Sequence, residues 1–187
     1  MCATTIIAKN GDVILQVLKD TETSVRLLVS SNVLSLASHV FEAMFDGRFA
    51  EGQDLSSASP KTIQLTDDNP ECMTMLCRLI HLQNSDIPFD LELDALIDLA
   101  ILCDKYDCAD SVRPWSKIWV SHLLSDTEKN SCEKLITVSY LLDLPHEFMD
   151  ASERLIRHRR SLDKEQFTIH GHDFIPEFLI GAYSILL

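Results

Sequence analysis

The sequence predicts an α+β fold: a small β-sheet capped by a cluster of short helices, with a C-terminal α-helical extension. Three observations carry that reading. The runs Asp12–Val17 and Val25–Val29 are of β type, with Val13, Leu15 and Val17 on one face. From Ser30 to Leu124, apart from one short β-type run, apolar residues recur at helical spacing, cut into pieces by capping residues and prolines. Two further helical patterns follow, Cys132–Leu142 and Glu147–Arg159, separated by Asp143-Leu144-Pro145.

Taken in order, the polar stretch KDTETS between the first two runs is turn-like, so they are expected to pair as an antiparallel hairpin. Asn10-Gly11 offers a tight turn before them, with TTIIA as an extra strand. Ser30, Ser31 and Asn32 are N-cap residues for a short helix carrying Val33, Leu34 and Ala37. Ser38 offers a second cap ahead of Phe41, Met44 and Phe45, so two short helices are expected with a change of direction at Ser38. Leu34, Val40 and Phe41 are expected to face the sheet and the later helices. GRFAEGQDLSSASPK reads as a mobile loop.

TIQL, Thr62–Leu65, is a short strand. Asp68-Asn69-Pro70-Glu71 is a helix start with Asp67 and Asp68 read as capping residues, and Met73, Leu76, Cys77 and Ile80 make the apolar stripe of that helix. Asn84–Pro88 breaks it. Leu93, Leu96, Ala100 and Cys103 point inward from the next helix, and another is expected over Val112–Leu124, starting near Pro114. Val13, Leu15, Leu34, Phe41, Met73, Leu76, Leu96 and Ala100 are the expected core.

Composition narrows the function. A net charge of −13 over 187 residues leaves no broad basic face for a phosphate backbone or an anionic membrane, so no nucleic acid and no membrane partner is expected. The basic run RLIRHRR, Arg154–Arg160, reads as a solvated helix end whose cations complement the macrodipole. No secretory signal opens MCATTIIAKN, and the apolar end FLIGAYSILL is too short to span a bilayer, so a cytoplasmic or nuclear location is expected. Cys72 and Cys77, like Cys103 and Cys108, have neither CxxC nor finger spacing and read as buried free thiols. Nothing frames a serine nucleophile or a glycine-rich phosphate loop, and His170-x-His172 alone does not make a metal site. No enzyme, cofactor, metal or catalytic residue is therefore expected. Trp115 and Trp119, four apart on one helical face, read as packing residues.

The segments GDVILQV, VSSNVLSLASHVFEAMF, FAEG, IQLTDDNPECMTMLCRLIH and LAILCDKYDC, in this order, resemble the BTB/POZ domain over about residues 11–124. DKYDC with Trp115, Trp119 and SYLLDLP resembles the subgroup common in filamentous fungi, in which a helical extension follows directly. The resemblance implies a domain at 1–124 with an extension at 125–187, and a protein-interaction scaffold or adaptor without catalytic activity. Phe49-Ala50-Glu51 matches the hydrophobic-x-Glu pattern of family members that recruit cullin scaffolds, so Phe49 and Glu51 become the candidate partner-binding residues. The alternative function is substrate adaptor of a cullin-based ubiquitin ligase, with the extension recognising substrate. Asp12 matches the aspartate of the family's charged pocket, but Ser31 stands where its basic partner is expected, so that pocket is not implied. Only eleven residues precede Asp12, and a monomer, or a dimer without an N-terminal strand swap, is expected.

Overall fold

The computed structural model describes residues 3–18, 24–125, 131–158, 168–169, 172–176 and 179–181. The chain divides into two compact units, Met1–Pro88 with Ile101–Val112, and Phe89–Ala100 with Arg113–Leu187.

The first unit is built on a four-stranded mixed sheet. Strands β1 (Thr4–Ile6), β2 (Val13–Leu18), β3 (Ser24–Val29) and β4 (Lys61–Thr66) lie in the order β1-β3-β2-β4. The β2–β3 hairpin is antiparallel as expected, with Leu15 opposite Leu27; Lys19–Thr23 of its turn lie outside the described residues. Val13, Leu15 and Val17 alternate inward and are fully buried, with Leu27 and Val29 beside them. The extra strand expected in TTIIA is present as β1, and the turn before β2 is closed by the Gly11 N–H on the Ala8 carbonyl at 3.0 Å. β1 runs parallel to β3 on the sheet's outer edge. Gly11 serves a further need: a Cβ there would meet the Val29 carbonyl oxygen at 2.5 Å, so only glycine lets the chain pass.

Helices α1 (Ser31–Ala37) and α2 (His39–Phe45) break at Ser38, whose hydroxyl accepts the Phe41 N–H. Each is too short to hold itself in water and depends on its buried side chains, Leu34 and Phe41. Val40 does not join them; it is 36% exposed, because a seven-residue helix presents one narrow stripe. Phe41 stacks on Phe45 at 5.9 Å as their spacing predicts.

The entry to α3 (Pro70–Ile80) is also corrected. Asn69, not Asp67 or Asp68, is the N-cap, its side chain accepting from the Glu71 and Cys72 N–H groups. Asp67 takes a left-handed backbone (φ 66°), and Asp68 turns inward. A 3-10 turn at Asn84–Asp86 follows the helix. α4 spans Leu93–Lys105, with Leu96, Ala100 and Cys103 buried but Leu93 only half-buried at its first position. α5 spans Ala109–Ser125 and so starts five residues before Pro114. Burial of Cys108 and Val112 anchors the extra turn, and the proline ring is carried on the exposed side.

In the second unit, α6 (Cys132–Leu141) packs against α7 (Pro145–His158), with Leu135, Ile136, Val138, Ala151 and Leu155 buried. α7 begins at Pro145, two residues earlier than Glu147, since proline suits the first helical position. Trp115 and Trp119 lie 5.6 Å apart, Trp119 buried. A short antiparallel pair, β5 (Thr168–Ile169) and β6 (His172–Asp173), has no counterpart in the sequence expectation, two residues being too few for a periodic signal. No helix among the described residues is long and apolar enough to cross a membrane.

All eight expected core residues are fully buried. Truncating Phe41 to Ala should cost about 3–5 kcal/mol in urea unfolding, while Leu36→Ala, at a side chain 90% exposed on the same helical pair, should stay within about 0.5 kcal/mol.

Candidate protein-interaction surface

The loop after α2 is ordered by short-range chemistry. The Asp46 carboxylate accepts from the Arg48 backbone N–H at 2.9 Å and pairs with its guanidinium. Gly47 takes a left-handed backbone (φ 85°). Ala50–Gly52 forms a single 3-10 turn closed by the Gly52 N–H on the Phe49 carbonyl. At Gly52 a Cβ would meet Gly47 N and Phe45 C at 2.7 Å each, both backbone, so the return of the loop on its own start requires glycine. The Lys61 ammonium clamps the far side, donating to the carbonyls of Ala50 and of Gln53, the latter at 2.9 Å. The loop expected to be mobile is therefore a pinned turn.

Phe49 sits on that turn 56% exposed, and Glu51 is exposed two residues on. The phenyl ring does not fold back into the core. The Phe49 side chain thus adds little to the fold and presents apolar area to solvent, while Glu51 supplies a nearby carboxylate.

The sheet-to-helix junction beside it is closed by side chains. The Asp12 carboxylate accepts from the Ser31 N–H at 2.8 Å and from its hydroxyl at 2.6 Å. Ser31 thus occupies the aspartate directly, which is the physical content of its standing where a basic residue was expected. His81 accepts the Ser30 N–H on Nε2 at 3.1 Å, and its Nδ1 faces the Cys77 carbonyl at 2.8 Å, which fixes a neutral imidazole protonated on Nδ1. Burial pushes the His81 pKa down, against the smaller raising effect of the Cys77 carbonyl. His39 goes the other way: its hydrogen bond to Asp107 at 2.7 Å, then that carboxylate's charge, raises it.

Asp68, read from sequence as a capping residue, is 3% exposed. It accepts from the Tyr106 hydroxyl at 2.7 Å and the Lys105 ammonium at 2.6 Å. Burial and then this hydrogen bond raise the Tyr106 phenol well above its usual range. Two of the thiols, Cys77 and Cys103, are held in the protonated form and are poor nucleophiles. Burial pushes Cys77 up to about 12, and contact with Cys108, then burial, raises Cys103. Cys72, Cys77, Cys103 and Cys108 are all buried and in no disulfide. Among the described residues no three His, Cys, Asp or Glu side chains are placed to hold a metal ion. His170, Arg159 and Arg160 lie outside the described residues; Arg157 pairs with Glu153 and Arg154 donates to the Leu124 carbonyl.

Residues 8–123 match the family model described as the BTB/POZ domain. The chain belongs to the BTB/POZ family. No curated protein matches it. BTB/POZ domains generally mediate protein–protein interaction, adaptors included, and are typically non-catalytic. The match covers β2, β3 and β4 but not β1, together with the αα-hairpin, the Phe49 turn, α3, α4 and most of α5. Within this BTB/POZ domain sequence reasoning picked out Phe49 and Glu51 but missed Lys61, whose role as a clamp depends on a lysine eleven residues from its acceptor.

The His81 arrangement has a pH signature. A histidine depressed in the fold is neutral there while the unfolded chain takes up a proton, so its contribution is complete above about pH 6.5 and is lost as pH falls below it. In an NMR titration of the imidazoles, His81 should titrate below and His39 above the ordinary value; the part of the acid-side loss of stability due to His81 should vanish in His81→Gln. For the turn, Gly52→Ala should lower stability by about 1–3 kcal/mol, because the clashing atoms are backbone.

Proposed function

We propose that this chain is a protein-interaction scaffold or adaptor without catalysis of its own, with Phe49 and Glu51 as partner-contacting residues. The observation that carries this is a large aromatic side chain more than half exposed on a turn pinned by Gly52 and Lys61. An ordered turn loses little conformational freedom on binding, and an apolar anchor with a carboxylate beside it is the chemistry of a hot spot and its register-setting rim.

The second reading is substrate adaptor of a cullin-based ubiquitin ligase, favoured by the hydrophobic-x-Glu triplet at Phe49-Ala50-Glu51. Residues 1–124 would act as the interaction domain and 125–187 as the helical extension that holds substrate. The resemblance of DKYDC, Trp115, Trp119 and SYLLDLP supports placement in the fungal subgroup, and a location in cytoplasm or nucleus is part of the proposal. Pairing of β1 with β3 of its own chain supports a monomer, or a dimer without strand exchange.

Titration of the full chain against a purified cullin N-terminal region separates the readings. The adaptor reading expects binding that Phe49→Ala weakens by about 2 kcal/mol or more with thermal unfolding nearly unchanged. Glu51→Lys should slow association, more at low salt than at high. No binding by the wild-type chain at tens of micromolar would end the adaptor reading and leave the scaffold.

A further inference from the structure

A pocket of about 310 Å³ opens at the corner between α6 and α7. Its apolar wall comes from Leu144, Pro145, Phe148 and Leu179, with Tyr140 at the mouth. Tyr140 is 43% exposed although it is a large aromatic on a helix whose neighbouring positions are buried. The volume is about twice the ~150 Å³ of a cavity that takes a benzene ring, and lies at the small end of the ~300–1,000 Å³ typical of ligand sites. The space therefore suits a bicyclic ring system.

Two polar groups define what that ring must carry. Asp143 lines the pocket on a left-handed backbone (φ 49°), and Arg113 fixes it there, donating to its carbonyl at 2.7 Å and to Oδ2 at 3.0 Å. No hydrogen bond reaches Oδ1 among the described residues. The Asp143 carboxylate, 77% exposed, thus stands at the edge of the pocket with acceptor capacity to spare. Ser139, 1% exposed, lines the same pocket, and its hydroxyl has no hydrogen-bond partner among the described residues. A helical serine ordinarily returns its hydroxyl to the carbonyl four residues back, and a buried polar atom left unpaired is uncommon enough to mark a place where a water or ligand atom belongs.

Charge completes the selection. Arg113 balances the Asp143 charge, so a cation gains little over a neutral donor, and the carboxylate offers an anion no hydrogen-bond donor. From these features we infer that the α6–α7 corner is a binding site for a small neutral bicyclic aromatic carrying one N–H or O–H donor, the ring lying between Tyr140, Phe148 and Leu179 and the donor on Asp143. This site is independent of the Phe49 turn, and its failure would leave the proposed function untouched.

Indole is the probe, and 1-methylindole, of the same shape without the donor, is its control. In NMR titrations of the full chain labelled with ¹⁵N, indole should shift resonances of residues 139–148 and 179 in a saturable manner. It should bind about tenfold more tightly than 1-methylindole, the scale of one hydrogen bond. Asp143→Gly keeps a residue that accepts the left-handed backbone and should bring the two ligands within about twofold of each other. If that variant fails to fold, the comparison of the two ligands on the wild-type chain decides alone. Equal affinity for indole and 1-methylindole would overturn the inference, as would the absence of localised shifts at millimolar indole. Binding of a tryptophan-bearing peptide without binding of free indole would also overturn it, by showing a protein-docking site instead.

Discussion

Tyr106 is the side chain on which the BTB/POZ core of this chain converges. Its ring stacks on Phe41 at 4.7 Å, its hydroxyl donates to the buried Asp68, and its carbonyl accepts the Ser38 hydroxyl. Ser38 in turn caps α2 through the Phe41 N–H at 3.0 Å. One residue at the end of α4 therefore sets the break between the first two helices, the depth of Phe41 and the geometry at the entry to α3. Each link is modest alone, about 1 kcal/mol net for a neutral hydrogen bond. The set is demanding because Asp68 and the Tyr106 hydroxyl are buried: removing the carboxylate strands the hydroxyl, and removing the hydroxyl leaves one carboxylate oxygen unpaired beside the Lys105 ion pair.

This convergence explains why two short helices stand where one long helix would bury similar area. A straight helix through Ser38 would carry its hydroxyl away from the Tyr106 carbonyl and could not turn Leu34 and Phe41 into the same core. With the break in place, α2 ends at Asp46, where the carboxylate and Arg48 begin the pinned turn that carries Phe49. The exposed aromatic is thus reached through an ordered path from the buried one.

What the sequence made legible was whatever acts over a few residues. The alternation of Val13, Leu15 and Val17, the cap at Ser38, the stripe of α3 and the exposed Phe49-x-Glu51 triplet are all local patterns. What it concealed was long-range partnership. Asp68 looks like a cap because Asn69 and Pro70 follow it; its true partners stand 37 and 38 residues away. β1 was legible as a strand, but nothing local showed that its neighbour would be β3, twenty-two residues on in the register. Pro114 looked like a helix start because its intrinsic preference is strong, and the burial of Cys108 and Val112 overrode it. The buried residues were read correctly where period alone decides, and Val40 and Leu93 were misread where a helix end leaves the stripe incomplete.

The most direct test of the central role of Tyr106 is a double-mutant cycle in urea unfolding with Tyr106→Phe, Asp68→Ala and the pair. If the two groups sustain each other in the core, Asp68→Ala strands the buried hydroxyl and Tyr106→Phe leaves one oxygen of the buried carboxylate unpaired, so the double variant should lose less than the sum of the singles by about 1 kcal/mol or more. Additivity within about 0.3 kcal/mol would mean that the hydroxyl and the carboxylate act independently, and would contradict the account.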